Sequence, residues 1–270
     1  MWHADERKLY WTDIETGRLF RFDPATGEHE QCYDGSRVGG FTVQADGSLL
    51  LFRDKGNIAI WRDGEIRKTV VEHLDAETAG RFNDVIAGPQ GRVYAGTLMG
   101  DGTPGRLYRI DHDGSCHVIL DGLDCPNGMG FSPDLSKMYF NDSRAGSCYV
   151  FDYERATGEL TNQQTFKQFP KDDGFPDGMT VDHDGNVWIA FWDGSCVRQF
   201  SPTGEEIGRI DVPALKASSL TFAGEHCTDI YITTAGGNDK ENDGPDAGAL
   251  FCVKSEIRGV PEFLSAICLE

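Results

Sequence analysis

Short strand-like runs recur along this chain at a spacing near 45 residues, and that period constrains the fold more than any other feature. Each repeat holds a pair of apolar or alternating runs, such as "GSLLLF" then "NIAIW", "RVYAGT" then "RLYRI", and "NVWIAF" then "VRQF". D-G, T-G and P-x-G signals separate the runs, as expected of β-hairpins. A further short segment precedes each pair: "GGFTVQADG", "FNDVIAGPQG", "PNGMGFSPD", "PDGMTVDHDG" and "SSLTFAG". With Phe41, Asn83, Asn127, Asp177 and Ser219 as anchors, the gaps are 42, 44, 50 and 42 residues. A sixth copy fits the start of the chain, around "LYWTDIETGRLFRFD" at residues 9–23. Six such units account for all 270 residues. Four short strands per unit is the pattern of a propeller blade. The sequence therefore predicts an all-β chain: a single six-bladed β-propeller domain over residues 1–270, with four antiparallel strands per blade. No window carries a long amphipathic helix, and residues 72–80 and 212–218 read as short turns.

Charge narrows the partners. The chain has 44 acidic against 25 basic residues, a net charge of −19. Such a surface repels nucleic acid and anionic membranes, so neither is expected to bind. No apolar run approaches the roughly 20 residues that span a bilayer. No basic–apolar–small leader opens the sequence. None of the eight cysteines is in C-x-x-C spacing, which argues against a thiolate zinc site. Reduced thiols in a cytoplasmic protein are the expectation.

In a propeller the innermost strands line the central channel. The anchors open those strands, so Asn83, Asn127 and Asp177 are predicted to ring one mouth of it. Hard oxygen donors with no His or Cys nearby suit Ca²⁺ or Mg²⁺ over zinc or copper. The plainer alternative is that the Asx-Gly pairs in "CPNGMGF" and "FPDGMTV" cap turns. Other motifs carry less. "GDGTPG" at 100–105 precedes a strand and contains Pro, so no helix N-terminus can hold a phosphate there. "DKENDG" at 239–244 opens like an EF-hand loop but lacks the closing Glu, and reads as a polar surface loop. Neither HExxH nor GxSxG occurs. Receptor propellers repeat the YWTD tetrapeptide from blade to blade. Here it occurs once, the equivalent positions being "VYAG", "MYFN", "VWIA" and "IYIT". It is therefore read as a buried strand.

Taken together, "RFNDVIAGPQGRVYAGTL", "PNGMGFSPD" and "FPDGMTVDHDGNVWIAFWDGSCVRQFSPTG" closely resemble the gluconolactonase/regucalcin family, also called the senescence-marker-protein family. The similarity extends to "LTFAG", "DIYITTA" and "AGALFCV". The resemblance implies a six-bladed propeller that binds one divalent cation, most often Ca²⁺, with Mg²⁺, Mn²⁺ or Zn²⁺ as alternatives. It implies hydrolysis of small-molecule sugar lactones or related esters. By the same resemblance Asn127 and Asp177 match metal ligands, and Asp177 also matches the catalytic acid–base. Arg81 and Asn83 match substrate-binding residues, with Asn83 a further candidate metal ligand. Asp101 falls where some members carry a substrate-binding Glu.

The sequence departs from the family at one point. The family places a Glu ligand in a G-E-x-P-x-W phrase whose Trp matches Trp2, so that Glu would lie before Met1. The expectation is a shortened first blade and weaker Ca²⁺ binding than in a version extended upstream, because ligand charge sets affinity. That departure also keeps a second reading open: a calcium-binding regulatory protein of the regucalcin type with little catalysis. A propeller of the strictosidine-synthase kind shares the fold by analogy alone.

Overall fold

The computed structural model describes residues 1–100 and 102–269. Its strands form antiparallel sheets in chain order. The first sheet holds β1 (Trp2–His3), β2 (Lys8–Asp13), β3 (Arg18–Phe22) and β4 (His29–Asp34). The second holds β5 (Val38–Val43), β6 (Leu49–Arg53), β7 (Ile58–Arg62) and β8 (Glu65–Val71). The third holds β9 (Phe82–Ala87), β10 (Val93–Thr97), β11 (Gly105–Ile110) and β12 (Cys116–Leu123). The fourth holds β13 (Pro126–Phe131), β14 (Lys137–Asp142), β15 (Ser147–Glu154) and β16 (Glu159–Gln168). The fifth holds β17 (Phe175–Val181), β18 (Val187–Trp192), β19 (Cys196–Phe200) and β20 (Glu206–Asp211). The sixth holds β21 (Ala217–Ala223), β22 (Asp229–Thr234) and β23 (Leu250–Lys254). These are the blades of a six-bladed β-propeller.

Five blades have the four strands that the repeat predicts. The sixth has three among the described residues, because the chain after Lys254 finds other partners. Gly259 bridges Asp182, and Ser265 forms a parallel bridge to Gln44.

The last strand of each four-stranded blade is the least buried, and the residue types follow. Every residue of β5 and β13 is buried. In contrast, β8 and β16 are mostly exposed and rich in charged and polar side chains. The alternation a half-exposed strand needs is thus confined to the outer strands, and the inner ones read as near-continuous apolar or small runs.

The chain divides into two compact units. The first comprises Met1–Pro126, the hairpin turn Glu154–Glu159 and the segment from Glu262 onward; the second comprises Asn127–Tyr153 and Leu160–Pro261. In the first unit one apolar cluster gathers Tyr10, Val38, Phe41, Leu51 and Trp61, and another gathers Phe52, Ile58, Phe82, Val93 and Tyr108. The 154–159 turn is held to it by Tyr94, whose hydroxyl donates to the Gly158 carbonyl at 2.6 Å. The second unit is filled by Tyr139, Phe169, Ile189, Phe191 and Phe200, and by Trp188, Val197, Leu220, Phe222 and Ile232. Each large side chain so buried contributes about 1.5–3 kcal/mol.

Helical structure is limited to the 3₁₀ turns Asp75–Glu77 and Lys171–Asp173 and one α-turn, α1 (Lys240–Asp243). No helix among the described residues is long and apolar enough to cross a membrane. "DKENDG" is the polar surface segment that the sequence suggested, with Asp239, Lys240, Glu241 and Asn242 exposed, and its one buried residue is Asp243 in the α-turn. Asp243 is 3% exposed and accepts two hydrogen bonds from Lys216 Nζ, at 2.7 and 2.8 Å, so a distant lysine draws the segment inward. None of the eight cysteines forms a disulfide.

Candidate active site on the innermost strands

The first strand of four blades carries a bulge. In β9, Phe82 pairs with Thr97 and Val85 with Ala95, so Asn83 and Asp84 together face the single residue Gly96. In β17, Pro176 pairs with Phe191 and Met179 with Ile189, so Asp177 and Gly178 face Ala190. In β5 the extra residue is Gly39, and in β21 it is Ser218. A bulge bends the strand and re-aims its side chains, and bulges are frequent beside active sites. Asn83 and Asp177 thus occupy equivalent places in their blades. The anchors Phe41 and Ser219 do not: Phe41 is a buried core residue, and the equivalent positions are Gly39 and Ser218.

Asn127–Gly128 and Asp177–Gly178 lie inside β13 and β17. Neither glycine has a positive φ. The turn-capping alternative therefore fails, and the glycines serve close approach. A Cβ on Gly128 would come within 2.4 Å of Met179 N and 2.5 Å of the Asp177 carbonyl oxygen. One on Gly178 would meet Ser219 Oγ at 2.3 Å. Only a residue without a side chain lets adjacent first strands come this near.

In the first unit Arg81 and Asn83 form a connected pair. Arg81 Nη1 donates to the Phe82 carbonyl and to Asn83 Oδ1, both at 2.9 Å. Asn83 Nδ2 donates to the Pro126 carbonyl at 2.8 Å. A carbonyl can only accept, so the amide nitrogen must face Pro126 and the amide oxygen must face the guanidinium. Burial lowers the Arg81 pKa somewhat, while Glu15, with Oε1 3.9 Å from Nη2, opposes the shift. Asp84, beside Asn83, is only partly exposed. Burial pushes its carboxyl up to about 6, against the pull of the Val85 N–H that donates to it at 2.7 Å. Glu262 adds to the rise. Sequence reasoning passed over Asp84, although it stands in the same "FND" phrase as Asn83.

In the second unit Asn127 is 9% exposed. Its Nδ2 donates to Ser143 Oγ at 3.0 Å, and Ser143 Oγ donates to the Pro176 carbonyl at 2.5 Å. That bond turns the amide nitrogen toward Ser143 and the amide oxygen away from it. Asn141 Nδ2 donates to the Asp177 carbonyl at 2.8 Å, and its own Oδ1 is buried without a partner. Asn127 and the backbone of Asp177 are thus tied together through the end of β14. The sequence reading missed Asn141 and Ser143. A signal was present: "MYFND" aligns with "LYWTD", and in the first unit Thr12 Oγ1 donates to the Val38 carbonyl at 2.8 Å. The third letter of the tetrapeptide is a staple from the second strand of one blade to the first strand of the next.

Asp101 lies outside the described residues. Among those described, no three His, Cys, Asp or Glu side chains converge as a metal site. A cation on these strands would need amide or backbone oxygens beside a carboxylate.

Known proteins resemble this chain along most of its length. The family model described as SMP-30/Gluconolactonase/LRE-like region matches residues 1–236. The chain is 43% identical over 276 residues to pentonolactonase XacC of Haloferax volcanii, covering 100% of this chain and 94% of that one. It is 29% identical over 272 residues to the 6-deoxy-6-sulfogluconolactonase of Pseudomonas putida, covering 98% and 93%. Among solved structures, a calcium-binding protein, regucalcin, from Agrobacterium tumefaciens matches with a TM-score of 0.89 at 22% identity, over 98% of this chain and 91% of that one. That likeness carries the fold. The chain belongs to the SMP-30/gluconolactonase/LRE-like family.

Proposed function

We propose that the chain hydrolyses sugar lactones with the help of a divalent cation, most readily Ca²⁺. The reading is supported by the 43% identity to a pentonolactonase over the whole chain. The single observation that carries it is the opposite orientation of two amides. Asn83 turns its oxygen to a guanidinium, whereas Asn127 turns its nitrogen to the acceptor Ser143 Oγ and its oxygen away from it. A carbonyl-type oxygen and the Asp177 carboxylate are hard donors and fit Ca²⁺. Asn127 and Asp177 would hold the cation, and Asn83 is left to the substrate together with Arg81.

What a cation supplies when bound is polarisation of the lactone carbonyl and charge stabilisation in the tetrahedral intermediate. The residues do the rest. Arg81 and Asn83 orient the oxygens of the sugar, which supplies proximity. Water attacks the lactone carbon and Asp177 accepts its proton. The ring C–O bond then breaks, and the departing alkoxide takes that proton to give the open hydroxy acid.

A panel of pentono- and gluconolactones, assayed after chelation and again with Ca²⁺, Mg²⁺, Mn²⁺ or Zn²⁺, tests the proposal. Turnover that falls on chelation and returns with a cation is expected. Hydrolysis undiminished by chelator would remove the cation from the reaction. Tight Ca²⁺ binding with no turnover of any lactone would favour the regulatory reading.

A further inference from the structure

We infer that Ser143 is a positioning residue: it fixes which end of the Asn127 amide meets a cation and ties that amide to the strand bearing Asp177. The inference rests on the proposed ligand role of Asn127. The argument is an inventory of hydrogens. Ser143 has one O–H, and the Pro176 carbonyl, 2.5 Å away, can only accept it. What Ser143 offers Asn127 is therefore a lone pair, and only the NH₂ end can use it, at 3.0 Å. The amide oxygen is left pointing the other way.

An amide is nearly symmetric in shape and asymmetric in charge. Rotated by half a turn, Asn127 would present two N–H donors where a cation needs an oxygen. Ser143 is 6% exposed, so little water competes for its lone pair. Partners of this kind orient metal ligands elsewhere, and their loss costs roughly 10–100-fold in metal affinity. The same hydroxyl holds the carbonyl of Pro176, the residue before Asp177, so one side chain sets the register of both proposed ligands.

Calorimetric titration of chelator-stripped protein with Ca²⁺ alone tests this, in Ser143→Ala, Ser143→Thr, Asn127→Ala, Asn127→Asp and the Asn127→Asp/Ser143→Ala double variant. Ser143→Ala is expected to weaken binding roughly 10–100-fold while the melting temperature of the cation-free protein moves little. Ser143→Thr, which keeps the hydroxyl, is expected to retain most of the affinity. In the Asn127→Asp background both side-chain oxygens are equivalent, so the loss from Ser143→Ala should shrink to less than about threefold. Wild-type affinity in Ser143→Ala, alongside weakened binding in Asn127→Ala, would overturn the positioning role alone. An equal loss in both backgrounds would do the same, since it would mark a general structural defect. Wild-type affinity in Asn127→Ala would sink the ligand assignment and this inference with it. Should Ser143→Ala fail to fold, Ser143→Cys, of similar shape but a weak acceptor, takes its place in both backgrounds.

Discussion

Asn83 in the first unit and Asn127 in the second are the same residue type on equivalent strands, yet their surroundings treat them as opposites. Asn83 donates to a backbone carbonyl and receives Arg81; Asn127 donates to a serine and turns its oxygen away from it. Neither difference is in the side chain itself. It comes from the neighbours: a guanidinium two residues before Asn83, and a hydroxyl at the end of β14 near Asn127. The first unit thus presents positive charge and donors suited to sugar oxygens. The second turns the NH₂ end of its amide to a serine hydroxyl, which on the proposed reading leaves the amide oxygen for a hard cation.

The largest test of that contrast is Asp177→Ala. It removes the proposed proton acceptor and a proposed ligand together, and lactone turnover is expected to fall by about 10³-fold or more, within the range single catalytic groups command. Circular dichroism should show the fold intact. Retained kcat would remove Asp177 from the chemistry. A smaller effect sharpens the comparison of the two amides. Asn127→Asp adds charge to the cation side, and Ca²⁺ affinity should rise about tenfold, since ligand charge tunes it. Asn83→Asp should leave Ca²⁺ affinity nearly unchanged, because its new carboxylate faces Arg81. Equal gains in the two variants, measured by calorimetry, would erase the distinction.

The smallest effect concerns Asp84. Its carboxyl is raised to about 6 by burial, against an ordinary value of 3.8. With the folded pKa raised, stability is fully present below the unfolded pKa and is lost as pH climbs through about 6. In chelated buffer Asp84→Asn should therefore match wild type near pH 4 and exceed it near pH 7.5. The gap should be about 1–3 kcal/mol, the upper figure being 1.36 kcal/mol for each pH unit between 3.8 and about 6 and the lower one a discount for partial exposure. Melting curves giving the same gap at both values would show that Asp84 does not titrate across this interval.

Much of the fold was legible because a blade repeats. Strand pairs and their turns recur often enough that the period near 45 residues survives irregular loops. Asn83, Asn127 and Asp177 were legible as polar residues opening otherwise apolar or glycine-rich strands. Their companions were not. Ser143 and Asn141 act from the second strand of a blade on the first strand of the next, a contact no linear spacing encodes. Loop lengths differ from blade to blade, so an even spacing put Phe41 two residues and Ser219 one residue past the bulge positions Gly39 and Ser218. The sixth blade looked like the others because Asp229–Thr234 and Leu250–Lys254 are good strands. Only the bridges at Gly259 and Ser265 reveal that the chain leaves before a fourth can form.

Those last bridges matter for how the chain is made. Thr42 Oγ1 and Ser265 Oγ meet at 2.7 Å across 223 residues of sequence, and the Ile267 N–H donates to the buried Gln44 side chain at 2.9 Å. Ala266 and Cys268 donate to the carbonyls of Gly91 and His112. The second and third blades keep these polar groups open until residues 265–268 dock. Contacts of such long sequence separation form slowly, so these two blades are completed late, by a segment far along the sequence.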